Sequence, residues 1–205
     1  MKNVLLAFMA IVTGLSVTVL DANAQNNLQN KLKQDREKWE QEMAQFRARS
    51  EQRRELNELA DSIAGVQAAA AVQNRDFVLE ADQVTFKNGA TVFVNSSTNF
   101  ISVKGNRAVV QISPSNFSPG PNGVGGVTVD GMISGMQTYV DKRGNTTVTF
   151  NVNGIGLNAQ VEIYMTPGTN RASATIYPNF NSNTVWIVGD IVPYENSSVF
   201  EGASL

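Results

Sequence analysis

Cysteine and histidine are both missing from the 205 residues. Without cysteine there are no disulfides, no thiolate metal ligands and no N-terminal cysteine for lipid attachment, so the chain is not a lipoprotein. Without histidine the commonest general base, the commonest metal ligand and the usual pH switch are gone. Ser-His-Asp and Cys-His catalysis are excluded, and so are zinc sites of the usual Cys/His type. An excess of either charge is also lacking: 16 basic and 18 acidic residues leave a net charge of -2, which argues against a nucleic-acid partner. No cofactor and no metal site are expected.

Long apolar runs are absent too, apart from one near the start. Met1-Lys2-Asn3 is a short positive beginning, Val4 to Leu20 is apolar but broken by Thr13, Gly14, Ser16 and Thr18, and Ala22-Asn23-Ala24 is a small-x-small cleavage site. These are the three parts of a secretory signal peptide in order. The expectation is an exported, periplasmic protein, with secretion or the cell surface as the alternative. Once residues 1–24 are removed, no further run is apolar enough to span a bilayer, and the mature chain is expected to be soluble.

The mature chain falls into two parts, a charged helical arm with a linker over residues 25–71 and an all-β domain over residues 72–205. From Asn26 to about Ala71 there is no proline, Gly65 is the only glycine, and Glu, Gln, Arg, Lys, Leu and Ala dominate, which are good helix formers. Leu28, Leu32, Trp39, Met43 and Phe46 recur at helical spacing, and so do Leu56, Leu59, Ile63 and Val66. Between the groups, Arg47 to Glu55 carries no strong hydrophobe. The interruption breaks a sustained heptad. The expected arrangement is therefore an apolar stripe packed on the domain behind it, with a coiled-coil homo-oligomer or a basic docking site as alternatives. Balanced charge makes a membrane-surface helix a poor fit.

From Phe77 onward glycine, asparagine, threonine and valine become frequent, and short alternating runs are divided by turn residues. Val148, Phe150 and Val152 alternate with Thr147, Thr149 and Asn151. Ala159, Val161, Ile163 and Met165 alternate with Asn158, Gln160, Glu162 and Tyr164. Ala172, Ala174 and Ile176 alternate with Ser173, Thr175 and Tyr177. Turn signals stand at Lys87-Asn88-Gly89, Lys104-Gly105-Asn106, Asp141 to Gly144, Asn153-Gly154 and Pro167-Gly168. About eight or nine strands at roughly ten-residue spacing give a mainly β fold, an antiparallel β-barrel or a β-sandwich, preceded by a long N-terminal α-helix. Small inward residues (Ala159, Ala172, Ala174) leave either room for a ligand or closely packed sheets.

Pro114 to Gly126 is the most distinctive stretch. It lacks the Lys-Ser/Thr ending of a phosphate-binding loop and opens no helix. It reads as a long connection or as a binding loop at a barrel mouth, with Asn116, Phe117, Asn122, Gly123, Gly125 and Gly126 as candidate ligand- or partner-binding residues. The run Gly120-Pro121-Asn122-Gly123-Val124-Gly125-Gly126-Val127-Thr128-Val129-Asp130-Gly131 resembles the signature of an exported Gram-negative family called domain of unknown function 4251. Asn74 to Asp82, Asn99 to Val103 and Gln111 add to the resemblance, which covers the β domain but not the helical arm. The resemblance implies an exported β-rich domain of lipocalin-like topology. It implies no activity and no catalytic residues.

The remaining chemistry is thin. Glu80 and Asp82 share a strand face, and paired carboxylates are what a glycosidase needs, although solvent-facing positions explain them more simply. Asp130 and Asp141 offer oxygens but no dense acidic loop. Tyr164 and Tyr177 read as a cross-strand pair, and Trp186, inside Val185-Trp186-Ile187-Val188, as core. No catalytic residues are assigned, and the chain is expected not to be an enzyme. The leading expectation is a non-catalytic binding module for a small amphipathic ligand or an envelope protein partner. The alternatives are an oligomeric envelope scaffold built through the arm and, last, a carboxylate-dependent polysaccharide hydrolase.

Overall fold

The structure, a computed structural model, describes residues 22–113, 126–155, 157–179 and 183–202. Among the described residues one long helix, α1 (Ala22–Asn74), precedes nine strands. Contacts divide the chain after Arg54, and the two units are taken separately.

In the first unit α1 runs to Arg54 as solvated helix. Leu28, Leu32, Trp39 and Phe46 are each more than half exposed. Local bonds such as Arg49 Nη2 to Gln45 Oε1 (3.4 Å) join residues four apart.

In the second unit the rest of α1 docks on a β-barrel. The face it uses differs from the expected one. Leu56, Leu59, Ile63 and Val66 stay more than half exposed, while Ala68, Ala71 and Val72 are buried in the barrel's own core cluster. The reason is the closeness of approach. A Cβ added at Gly65 would stand 2.7 Å from the Thr169 backbone nitrogen, so only small residues let the helix reach this turn. Gly65→Leu is therefore expected to lever the helix end away, at a cost of about 2 kcal/mol. A lowered Tm with faster proteolysis between residues 55 and 75 would register it. Arg75 ends the helix in the left-handed region (φ 53). Its N–H donates to the Val72 carbonyl (3.2 Å) and its carbonyl accepts from Gly105 N–H (2.8 Å), a cap that glycine usually supplies.

The strands are β1 (Asp76–Phe86), β2 (Thr91–Phe93), β3 (Phe100–Lys104), β4 (Arg107–Ile112), β5 (Val127–Val140), β6 (Thr146–Gly154), β7 (Asn158–Met165), β8 (Arg171–Pro178) and β9 (Val185–Pro193). All pairings are antiparallel, in the order β2-β1-β3-β4-β5-β6-β7-β8-β9, and β1 also pairs with β9. The barrel is thus closed by eight strands. The short β2 shares an edge of β1 with β3, taking Gln83 to Thr85 while β3 takes Asp76 to Glu80. Closure removes the free edges that a sandwich would leave.

Alternation sends one set of side chains inward on every strand. Phe77, Leu79, Val103, Val110, Phe150 and Ile187 belong to one buried cluster with the alternating residues of β6, β7 and β8. Each large side chain so buried contributes about 1.5–3 kcal/mol. The expected inward sets Val148/Phe150/Val152 and Ala172/Ala174/Ile176 are all buried. Four of the expected turns are turns, with Gly89, Gly105, Gly144 and Gly168 at positive φ; Asn153-Gly154 is instead the last part of β6, where both residues pair with β5, and the chain turns only after it.

A second, smaller cluster lies outside the barrel. Val78, Phe100 and Val109 project from β1, β3 and β4, and Val192, Tyr194 and Val199 cover them. After β9 a short 3-10 helix (Tyr194–Asn196) turns the chain across this outer face as a strap reaching residue 202.

Candidate functional site

Antiparallel alternation puts the two ends of the barrel to different uses. The helix end occupies one, among the turns that follow β3, β5 and β7. At the other, β4 ends, β5 begins and the β1–β2 and β8–β9 connections leave. The glycine-rich connection therefore departs from and returns to the end opposite α1. Asn116, Phe117, Asn122, Gly123 and Gly125 lie outside the described residues, whereas Gly126 is described. It sits at φ 68 just before β5, and a Cβ there would press on the Ile112 carbonyl and come within 2.9 Å of Ser113 Cα. Gly126 thus lets β5 approach β4, a backbone role. Beside this end, Phe86, Lys87, Asn88, Asn183, Thr184 and Val185 line an open hollow of about 440 Å³.

The strap is fixed by polar side chains at its root. Gln111 is fully buried on the outward side of β4. Its Nε2 donates to the carbonyls of Thr98 (3.0 Å) and Phe200 (2.9 Å), and its Oε1 accepts from Gly202 N–H (2.8 Å) and Thr128 Oγ1 (3.2 Å). Glu80 Oε1 accepts from Ser197 Oγ (2.6 Å) and Ser198 N–H (3.3 Å). Arg107 forks onto Asp130 (2.8 and 2.7 Å) and reaches Glu201 (3.4 Å). The hydrogen bond with Asp130 and the nearby carboxylates hold the guanidinium's pKa above its ordinary value, against a smaller opposing effect of burial. Tyr194 carries Lys104 Nζ 4.3 Å over its ring. Burial and Glu201 raise the pKa of its hydroxyl.

The carboxylates considered for catalysis have partners as well. Asp82 is the extra residue of a β-bulge, between Ala81 opposite Gly189 and Gln83 opposite Val188. It accepts both arms of Arg171 (2.6 and 2.8 Å), and Arg171 also reaches Asp190 (3.4 Å). Glu80 points to the strap and Asp82 to β8, so the two do not converge on one cleft. Asp141 accepts from the N–H groups of Arg143 (2.7 Å) and Asn145 (2.9 Å) and from Asn145 Nδ2 (2.7 Å). The Asn145 amide bond does most to keep its pKa below the ordinary aspartate value. It caps its own turn, as aspartate does for backbone reasons.

Two aromatic expectations need correction. Trp186 is not core: 41% of it is exposed, and Ile187 takes the inward position instead. Tyr164 and Tyr177 are not a cross-strand pair. Tyr164 stands opposite Ser173 and Tyr177 opposite Gln160, two rows apart, with Trp186 opposite Thr175 in the row between. All three project from the outside of β7, β8 and β9. Beside Tyr164 is a shallow hollow of about 250 Å³ lined by Tyr164, Thr166, Arg171, Ala172, Ser173 and Val188.

Comparison with known proteins agrees with this architecture. The family model for the domain of unknown function DUF4251 matches residues 61–191. Curated proteins give no match. The crystal structure of a DUF4251 family protein from Bacteroides eggerthii DSM 20697 is similar, with 47% identity and a TM-score of 0.61 over 70% of this chain and 96% of that one. The matched span starts within the last turns of the helix and ends in β9, so it takes in the docked helix end and the closed barrel, reaching further into the helical arm than the expected resemblance and leaving out residues 25–60: the chain belongs to the DUF4251 family.

Proposed function

We propose that this chain is an exported, non-catalytic binding module that works from the outside of a barrel filled by its own side chains. The observation that carries the reading is the occupancy of the interior. The inward residues of all eight barrel strands form one buried cluster, and Ala68, Ala71 and Val72 join it from the helix end. A barrel of about eight strands has just enough room inside for side chains or for one small ligand. Here side chains take that space, which leaves the outer face and the end opposite the helix for a partner or an amphipathic ligand. The three-part start of the sequence supports export to the periplasm. The absence of histidine and cysteine, with Glu80, Asp82 and Asp130 engaged in structural bonds, supports a non-catalytic role.

A second reading, assembly through α1, is favoured by one observation of its own. Leu28, Leu32, Trp39 and Phe46 recur on a helix that leaves them more than half exposed, and sustained apolar exposure of this kind marks an interaction surface.

Native mass spectrometry of the mature protein, taken from the periplasm, tests both. The expected result is a barrel free of any small molecule that survives until unfolding, with a protein partner or an oligomer present. A ligand released only on denaturation overturns the outside reading. If assembly runs through the helix, deleting residues 26–54 reduces the oligomer to a single copy, and an unchanged mass rules that out.

A further inference from the structure

The outer face of β6 to β9 has a composition that neither the core nor the strap explains. Strand register lays it out in rows. One row runs Thr147, Tyr164, Ser173 and Val188, and the next runs Thr149, Glu162, Thr175 and Trp186. Tyr177 stands in the row beyond, opposite Gln160. Tyr139, opposite Thr147 on β5, extends the first row and is 67% exposed. Tyr177 and Trp186 are thus diagonal neighbours on adjacent strands, and Ser173, Thr175, Glu162 and Val188 lie between Trp186 and Tyr164. Among the residues of these rows only Glu162 carries a formal charge.

An added strand, a lipid surface and an apolar helix each meet an obstacle here. An added peptide strand needs a free edge, and β6 to β9 are paired on both sides. A lipid surface needs a continuous apolar patch or clustered basic residues, and neither is present in these rows. An apolar helix needs a groove lined by aliphatic side chains. A sugar ring has a different pattern, with apolar C–H groups on its faces and hydroxyls around its rim. Its slightly positive C–H groups suit the negative face of an aromatic ring, and its rim hydroxyls suit the threonine, serine and amide groups beside the rings.

We propose that the outer face of β7 to β9, with Tyr164, Trp186 and Tyr177 as stacking platforms, binds an extended neutral polysaccharide. This assignment rests on the reading of the chain as a module that binds from its outside, and it names the ligand class. The hollow beside Tyr164 supplies a first subsite. At its edge Arg171 is clamped by Asp82 and Asp190, so a hydrogen-bonding group is fixed in place before any ligand arrives, which lowers the ordering cost of binding. Rings on neighbouring strands and successive rows lie about 5 to 7 Å apart per step, a spread that favours an extended chain over a single sugar.

Affinity electrophoresis of the full mature chain provides the test, in native gels containing hydroxyethylcellulose or galactomannan, with polygalacturonate as the charged control. The expected result is retardation by a neutral polymer and none by the control. Trp186→Ala and Tyr164→Ala should each weaken it about tenfold, while Tyr164→Phe, which keeps the ring, should retain it. Unchanged Tm values would show that the variants fold. The proposal is overturned if neither neutral polymer retards the protein, or if the alanine variants migrate as the parent does. It is equally overturned if Trp186→Ala abolishes binding to phosphatidylglycerol vesicles while neither neutral polymer shifts the parent. A protein partner that persists in native mass spectrometry after any of those failures would leave the outside-binding reading standing and remove only the polysaccharide.

Discussion

Gly189→Val is expected to cost about 3 kcal/mol or more and to open the barrel between β1 and β9. Gly189 lies on β9 opposite Ala81, at the point where β1 bulges to accommodate Asp82. A Cβ at this position would run into the Glu80 carbonyl oxygen and stand 2.7 Å from Ala81 Cα. These are backbone atoms, so no side chain can swing aside and the strands themselves must separate. Overpacking in a core typically costs about 1–3 kcal/mol and more where nothing yields, and the β1–β9 pairing is what closes the sheet on itself. Chemical denaturation gives the stability change. Amide exchange should show protection lost first along Asp76–Phe86 and Val185–Pro193. A variant with parental stability and an unaltered exchange pattern would mean that Gly189 is not a point of enforced close approach. Gly131 provides the internal comparison. A Cβ there would crowd the Asn153 carbonyl and come within 2.6 Å of Gly154 N, but at the β5–β6 pairing and not at the closure.

The strands are legible in the sequence wherever alternation has a polar half. In Thr147-Val148-Thr149-Phe150-Asn151-Val152 the threonines and asparagine mark the outside, and the structure buries Val148, Phe150 and Val152. In Val185-Trp186-Ile187-Val188 no polar residue marks the phase. Size then favours Trp186 as core, whereas the pairing of Thr175 with Trp186 puts it outside. A tight eight-stranded interior accepts Ile187 more easily than an indole. The tyrosines mislead for a related reason: alternation puts both on the correct face, but register is a property of two strands together and only the pairing of β7 with β8 sets it.

The helix shows a different limit. Reading by hydrophobicity selects Leu56, Leu59, Ile63 and Val66, yet docking selects Gly65, Ala68 and Ala71, because close approach to the Thr169 turn rewards the absence of side chain. A signal is present in the lone glycine of a 53-residue helix and the alanine run after it. The candidate loop residues stand out by composition alone. The one that falls in described structure, Gly126, serves the backbone. The strap has no periodic signature at all. Its one trace is a single amide, Gln111, inside the otherwise apolar Ala108-Val109-Val110-Gln111-Ile112, and this residue is also part of the family resemblance.

That amide carries the second large effect. Gln111→Ala is expected to destabilise the protein by about 2–4 kcal/mol, because each buried polar group left without a partner costs about 1–3 kcal/mol. The substitution removes one side chain but takes a partner from three backbone groups, the carbonyls of Thr98 and Phe200 and the N–H of Gly202, and one bond from the Thr128 hydroxyl. Some regain water once the strap lifts, which keeps the total below three full penalties and predicts where the damage appears. The Phe200 and Gly202 bonds are the ones that tie the chain end to β4, so residues 194–202 should detach while the barrel interior, whose cluster does not include Gln111, holds together. Limited proteolysis should then cut within the strap of the variant at a concentration of protease that leaves the parent intact, and the barrel should survive as a resistant fragment. Gln111→Glu separates the contributions. It keeps an acceptor for Gly202 and Thr128 but presents a carboxylate to two carbonyl oxygens, so above the carboxylate's folded pKa it should lose at least as much as alanine. Burial and the two carbonyls raise that pKa above its unfolded value. The neutral acid can donate to one of the carbonyls, so part of the loss should be regained as pH falls through the folded pKa. A strap released equally at every pH would show that Gln111 acts through shape and not through its hydrogen bonds.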